Sequence, residues 1–160
     1  MKRERTDEHM ILLSHLRKNA RQTLTNLSRA TSIPVSTIFD RIKHYVESGW
    51  IVKYTALIDF QHFGYSTRAK MAFKIKKENK EDVRSFIEKH KQINGAFRVN
   101  NGFDFLIEGV FKNMKDLEEF LENFENKFNV QKREVFYIIE DIKRESFLSS
   151  PDYLKLIKEV

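Results

Sequence analysis

Between Arg68 and Phe128 one pattern occurs twice, and this repeat limits the possible folds more than any other feature of the chain. "RAKMAFKIKKENKEDVRSFIEKH" is an apolar run, a polar turn and an amphipathic stretch with Val83, Phe86 and Ile87 on one side. "DFLIEGVFKNMKDLEEFLENFENKF" repeats it, with Leu117, Phe120, Leu121 and Phe124 in that role. Short apolar, partly alternating runs followed by three- and four-residue spacing read as strand, turn, helix. Each copy is followed by another strand-like run, "GAFRVNN" and then "VQKREVFYIIEDI". The order is β-α-β-β-α-β, an α+β ferredoxin-like sandwich with two helices on one face of a four-stranded sheet. Its strands "AFKI", "FLIEGVF" and "VFYII" hold more apolar residues than one helix layer can cover. That predicts a second copy of the chain against the open face.

The first third of the chain has a different periodicity. Three helices fit into residues 6–48: "TDEHMILLSHLRKN" with Ile11, Leu12 and Leu16 as its stripe, the short "TLTNLSRAT" with Thr23 as N-cap, and a third within "IPVSTIFDRIKHYVESGWI", which ends in a sharp stop. Gly49 follows the third, where a left-handed residue is often needed. Two short helices joined by a tight turn, the second longer, form a helix-turn-helix, whose second helix enters the major groove of double-stranded DNA. Val35, Ile38, Ile42, Tyr45 and Val46 are placed on the core side of that helix, and Ser36, Thr37, Asp40, Lys43 and His44 on the DNA side. Ser36, Thr37 and Asp40 are suited to base edges, Asp40 to a cytosine amino group. Arg21, Arg29, Arg41 and Lys43 are suited to phosphates, with Arg41 alternatively bracing the head through a local ion pair. Phe39 stands at the border of the two faces, against a thymine methyl or against neighbouring side chains.

Charge suits a nucleic-acid-binding head, or equally an ordinary solvated surface rich in Lys and Glu. Residues 1–50 carry 9 Lys+Arg against 5 Asp+Glu, so +4 of the net +6 lies in less than a third of the chain. "WIVKYTALIDF" reads as a connecting strand, "DFQHFGYS" as a turn around Gly64, and "SFLSSPDYLKLIKEV" as a tail with a short helix opened by Pro151. The divisions are 1–50, 51–64, 65–145 and 146–160.

Much other chemistry is disfavoured. There is no cysteine, so no disulfide framework or thiolate site. The five histidines have no ligand spacing, which argues against a metal. Single scattered glycines form no phosphate-cradling loop, and no nucleophile motif occurs, so neither a cofactor nor catalysis is expected. The start "MKRERTDEH" has no apolar segment behind it and is not read as a signal peptide; with no membrane-length apolar run, a cytoplasmic protein is expected.

On "LLSHLRKNAR", "STIFDRIKHYVESGWI", "KYTALID", "NGFDFLIEGVF", "NMKDLEEFLENF" and the last strand running into "DIK", the chain resembles the Lrp/AsnC feast/famine transcriptional regulators over about 140 residues. The resemblance implies a winged helix-turn-helix domain for DNA, a linker strand that helps pair two subunits, and a domain for assembly and effector binding. It also implies dimers that associate further, often into octamers, and small amino acids as effectors. Asn101, Gly102, Phe103 and Asp104 match the family's effector loop. Two readings of that loop stand: a receptor in which Asp104 attracts a ligand ammonium, or a turn ordered by Asp104. The family's alternate threonines of the last strand are replaced by Arg133 and Val135, with Arg133 as a candidate carboxylate receptor. Pro34 stands where a capping serine is common, and Ser32 where a glycine is usual. An effector-independent architectural DNA-binding protein is the alternative function. A sirohaem-decarboxylase-like enzyme is weaker still, because only "HFGYSTRAKM" resembles that group and its tryptophan-containing motif is missing.

Overall fold

The computed structural model describes residues 2–150, so the tail helix expected at Pro151 lies outside the described residues. Two compact units are present. One takes in the chain up to Leu57 and resumes at Ile142; the other is Ile58–Asp141. They are called here the head and the body.

The head contains three helices, α1 (Lys2–Lys18), α2 (Leu24–Thr31) and α3 (Val35–Glu47). Local chemistry marks their ends. The Thr23 side chain accepts a hydrogen bond from Asn26 N–H and so satisfies a donor of the first turn of α2. Ser32 closes α2 at φ 59° and ψ 20°, a left-handed conformation that a glycine adopts at lower cost. Pro34 caps α3 with no side-chain hydrogen bond, and Gly49 follows at φ 76°. Leu12, Leu16, Leu27, Ile33, Ile38 and Tyr45 form the buried core. The last described residues fold onto this unit: Arg17 donates to the Phe147 and Glu145 carbonyls at 2.7 and 3.0 Å, and pairs with the Glu145 carboxylate at 3.2 Å.

The body is the expected sandwich. Strands β1 (Thr67–Lys74), β2 (Ile93–Arg98), β3 (Phe105–Phe111) and β4 (Lys132–Tyr137) form one antiparallel sheet in the order β2-β3-β1-β4. Helices α4 (Lys80–Lys89) and α5 (Met114–Phe128) pack on it. The core side carries Met71, Phe73, Ile107 and Phe111 from the sheet, with Val83, Leu117, Leu121 and Phe124 from the helices. Full burial of each such side chain contributes about 1.5–3 kcal/mol. Their rings interlock, Phe73 against Phe124 at 4.5 Å and Phe86 against Phe128 at 5.3 Å. Alternation puts Arg68, Leu106, Glu108, Val110, Phe97 and Phe136 on the opposite face. There Arg68 joins Glu108 and Asp141, and Asn94 also donates to Glu108. The hydrogen bonds that Arg68 donates, foremost the one to the Asp141 carboxylate, raise its pKa further despite its partial burial.

One expected element differs. Residues 52–59 form neither helix nor strand within the chain, and Val52, Tyr54, Leu57 and Ile58 are exposed. A strand exists only with a ladder partner, and among the described residues no other segment of the single chain supplies one.

Candidate nucleic-acid interface and effector loop

Helix α3 presents three faces rather than two. Ile38 and Tyr45 are fully buried in the head core. Ser36, Asp40, Lys43, His44 and Glu47 are exposed on the polar side, with Thr37 half-buried at its edge. Val35 and Val46, expected in the core, are instead exposed at 42% and 48%, beside Phe39 at 57%. With half-buried Ile42 they fall within about 60° of one another at 100° per residue, on a separate flank. The cause is helical geometry: Val35 and Val46 lie about 60–100° around the helix from Ile38 and Tyr45, beyond the reach of α1 and α2.

The expected contact residues differ in what already holds them. Arg41 already has a partner within the head. Its Nη2 pairs with the Glu8 carboxylate at 2.6 Å, and its Nη1 is buried without a hydrogen-bond partner among the described residues. Lys43 makes only a loose contact with Glu47 at 3.9 Å, one helical turn away. Arg21 and Arg29 are exposed at the two ends of the α2 region. His44 lies near the Tyr45 and Trp50 rings, at 6.4 and 6.3 Å, so it borders an aromatic cluster as well as the polar face.

That cluster locks α3 to α1. Tyr45 and Trp50 stack at 5.4 Å, and the Tyr45 hydroxyl shares a 2.6 Å hydrogen bond with His9 Nδ1. Burial, partly countered by the Arg41 charge and reinforced by Glu8, pushes the Tyr45 pKa up to about 12. The hydroxyl therefore keeps its proton throughout the physiological range.

In the body, Asn101 and Gly102 turn the chain between β2 and β3 at φ 61° and 89°, and Asp104 closes the turn. The Asp104 carboxylate is already engaged. It accepts from Ile75 N–H at 2.9 Å and from Lys80 at 2.6 Å, and lies 3.4 Å from Lys74. Burial alone would raise its pKa; the hydrogen bonds from Lys80 and Ile75 and the charges of Lys74 and Lys80 outweigh that and hold it below the ordinary carboxylate range. Phe103 carries the Lys132 ammonium over its ring at 4.5 Å. Arg133 stands opposite Phe73 in the sheet and pairs with Glu125 of α5 at 3.2 Å. Phe73 thus separates the expected site residues. Arg133 faces it across β4, on the helix side, while Asp104 donates its N–H to the Phe73 carbonyl from the other flank. Among the described residues, no group of His, Asp or Glu can hold a metal ion.

A family model for the Lrp/AsnC ligand-binding domain matches residues 70–148, and a winged helix-turn-helix DNA-binding model matches 9–52. The HTH-type transcriptional regulator FL11 of Pyrococcus abyssi is 31% identical over 111 residues, 69% of this chain and 74% of its own length. The chain belongs to the Lrp/AsnC family of transcriptional regulators. Solved members share its fold. A transcriptional regulator of Neisseria meningitidis in complex with L-Met superposes with a TM-score of 0.79 at 21% identity, covering 86% of this chain and 91% of that one. Escherichia coli AsnC gives 0.75 at 16% identity, covering 86% and 92%. The Lrp/AsnC family is one of regulators rather than enzymes, and no helix among the described residues is long and apolar enough to cross a membrane.

Several residues of this Lrp/AsnC regulator were invisible to sequence reasoning. Glu8 and His9 brace α3 from 33 and 36 residues away. Lys74 and Lys80 engage Asp104 from 30 and 24 residues away. The lysine-rich run "KIKKENK" was the only signal for the latter, and a run of that kind is most often a solvated face.

Proposed function

We propose that this regulator binds specific double-stranded DNA sites as a dimer or higher oligomer in the cytoplasm, with one helix-turn-helix on each half-site. The observation that carries the reading is the exposed polar face of α3, where Ser36, Asp40 and Lys43 stand together on the side away from the head core. Half-sites fall about one helical turn apart on the DNA, and Ser36, Thr37 and Asp40 read bases while Lys43, Arg21 and Arg29 contact phosphates. The half-apolar outer face of the body sheet, with Phe97 and Phe136 exposed, supports pairing of two bodies.

Selection of bound sequences from a random DNA pool tests this. Asp40→Ala is expected to change the preferred sequence by about 1–3 kcal/mol of discrimination at one position. An unchanged preference removes Asp40 from readout, and a pool with no preference favours the architectural alternative.

Arg41 and Lys43 separate in the salt dependence. Lys43→Ala is expected to flatten the slope of log K against log salt by about 0.9, the loss of one phosphate contact. Arg41→Ala is expected to leave the slope unchanged and lower head stability by about 1 kcal/mol, because its partner is Glu8. A flattened slope for Arg41→Ala places it on the DNA instead.

For the body, the ligand-binding family model and the L-Met complex of the Neisseria regulator support an amino-acid-like effector. Here the backbone of Asn101, Gly102 and Phe103 receives it. Asp104, committed to Lys80 and Ile75, braces the loop rather than taking an ammonium. Arg133 joins the site only by leaving Glu125. A thermal-shift screen of the twenty amino acids at millimolar concentration tests this, since a ligand that binds only the folded form raises its melting temperature. A flat screen favours an effector-independent regulator.

A further inference from the structure

Three ammonium groups converge on the turn between β2 and β3. Lys80 and Lys74 lie 2.6 and 3.4 Å from the Asp104 carboxylate, and Lys132 lies over the Phe103 ring at 4.5 Å. Lys74 and Lys132 stand directly opposite each other on β1 and β4. Like charges in that position repel. Among the described residues the three cations pair with two carboxylates: Asp104, shared by Lys74 and Lys80, and Glu134, 3.1 Å from Lys132. The cluster keeps an excess of positive charge.

The backbone of the turn adds donors of the same sign. Among the described residues, the N–H groups of Asn101, Gly102 and Phe103 donate no hydrogen bond. Partial burial of Lys80 and Lys74 strengthens their attraction for an anion relative to bulk water. A ligand ammonium, by contrast, finds no uncommitted carboxylate there. Asp104 is held by Lys80 and by Ile75 N–H, and Glu134 by Lys132. The donors also lie at two points, the turn backbone and the Lys132 side chain, so they suit two anionic groups on one molecule.

We propose that the effector of this loop is a dicarboxylate of net negative charge rather than a neutral or basic amino acid. This rests on the effector reading above. One carboxylate accepts from the N–H groups of the turn. The other accepts from Lys132, which leaves the exposed Glu134 for it. Lys74 and Lys80 stay on Asp104 and contribute through their charge. A neutral amino acid lacks the second contact, and a basic one is repelled.

Titration calorimetry of the full-length protein tests this with glutamate, its neutral isostere glutamine, and 2-oxoglutarate, which keeps both carboxylates and lacks the ammonium. Glutamate and 2-oxoglutarate are expected to bind at least about tenfold more tightly than glutamine, the effect of one charge-assisted hydrogen bond. Lys132→Gln alters a side chain that is 56% exposed, and is expected to reduce glutamate binding to the level of glutamine. Lys115→Gln, on exposed α5 surface, is the control and is expected to leave the preference intact. Glutamine or another neutral amino acid binding as tightly as glutamate overturns the proposal and leaves the effector reading standing. Inorganic phosphate binding as tightly as glutamate makes the turn a general anion site and overturns the dicarboxylate class. An undiminished preference in Lys132→Gln also overturns the proposal. No binding by 2-oxoglutarate or by any of the twenty amino acids overturns both readings.

Discussion

Replacing Gly109 with alanine is expected to destabilise the body by about 2–3 kcal/mol, near the upper end of overpacking costs. Gly109 lies in the middle of β3, opposite Ala69 and on the side that faces the helices. A Cβ there would stand 2.5 Å from the Phe111 ring and 2.8 Å from the Met71 methyl. Phe111 and Met71 are fully buried, so their side chains have no free volume to move into. A fall of about 10 °C or more in the melting temperature follows for a unit of this size. Gly95→Ala is the matched control, because its nearest neighbour, the Phe97 ring, is 4.0 Å away and exposed. The single tryptophan, Trp50, belongs to the head, so its fluorescence reports that unit while far-UV circular dichroism reports both. A Gly109→Ala transition within about 0.5 kcal/mol of the parent, the range of harmless surface changes, contradicts the packing described here.

Removing the Asp104 carboxylate is expected to have the second-largest effect, and one that depends on pH. The side chain is only 14% exposed and holds Ile75, Lys80 and Lys74 around the turn between β2 and β3. Asp104→Ala leaves the Ile75 N–H without its acceptor and the Lys80 ammonium half-buried without its partner. Breaking a fully buried pair costs about 3–5 kcal/mol, and the partial exposure of both lysines reduces this to about 2 kcal/mol. Because the folded-state pKa is depressed, the ionised carboxylate contributes stability above its unfolded-state pKa of about 4 and loses that contribution as pH falls through the folded value. Urea unfolding of parent and variant is therefore expected to show the full gap at pH 7 and a shrinking gap below about pH 4. Asp104→Asn, which keeps the shape without the charge, is expected to show the same narrowing of its gap to the parent as the pH falls. A gap that stays constant down to pH 3 rules out the ion pairs as its source. The same variants bear on function: a loop loosened in Asp104→Ala is expected to weaken effector-induced thermal shifts while DNA binding by the free protein persists.

Both effects arise from places where local pattern and long-range geometry part. The strand-turn-helix repeat was readable because each unit buries one face, and burying one face leaves a period of two or 3.6 in the order of residues. The β-α-β-β-α-β order and its antiparallel sheet follow from that repeat. The ends of the head helices were readable for a similar reason: Thr23 and Gly49 act on the backbone within a few residues of themselves.

Periodicity reports that a helix is apolar on a side without reporting how much of that side its neighbours reach. Val35 and Val46 thus share the pattern of Ile38 and Tyr45, yet they stand exposed, because α1 and α2 cover only one flank of α3. The linker has the composition of a strand, but a strand needs a ladder partner, which no other segment among the described residues supplies. Charges are the least legible. Arg41 and Asp104 carry the residue types of DNA and ligand contacts, and only the folded chain brings Glu8 to one and Lys80 to the other. An ion pair depends on distance in space, and order along the chain carries no record of that distance beyond a helical turn or a strand pair. The amino-acid order alone therefore determined the elements, their sequence and the two-part plan, while the tertiary structure decided which polar groups remain available for a ligand.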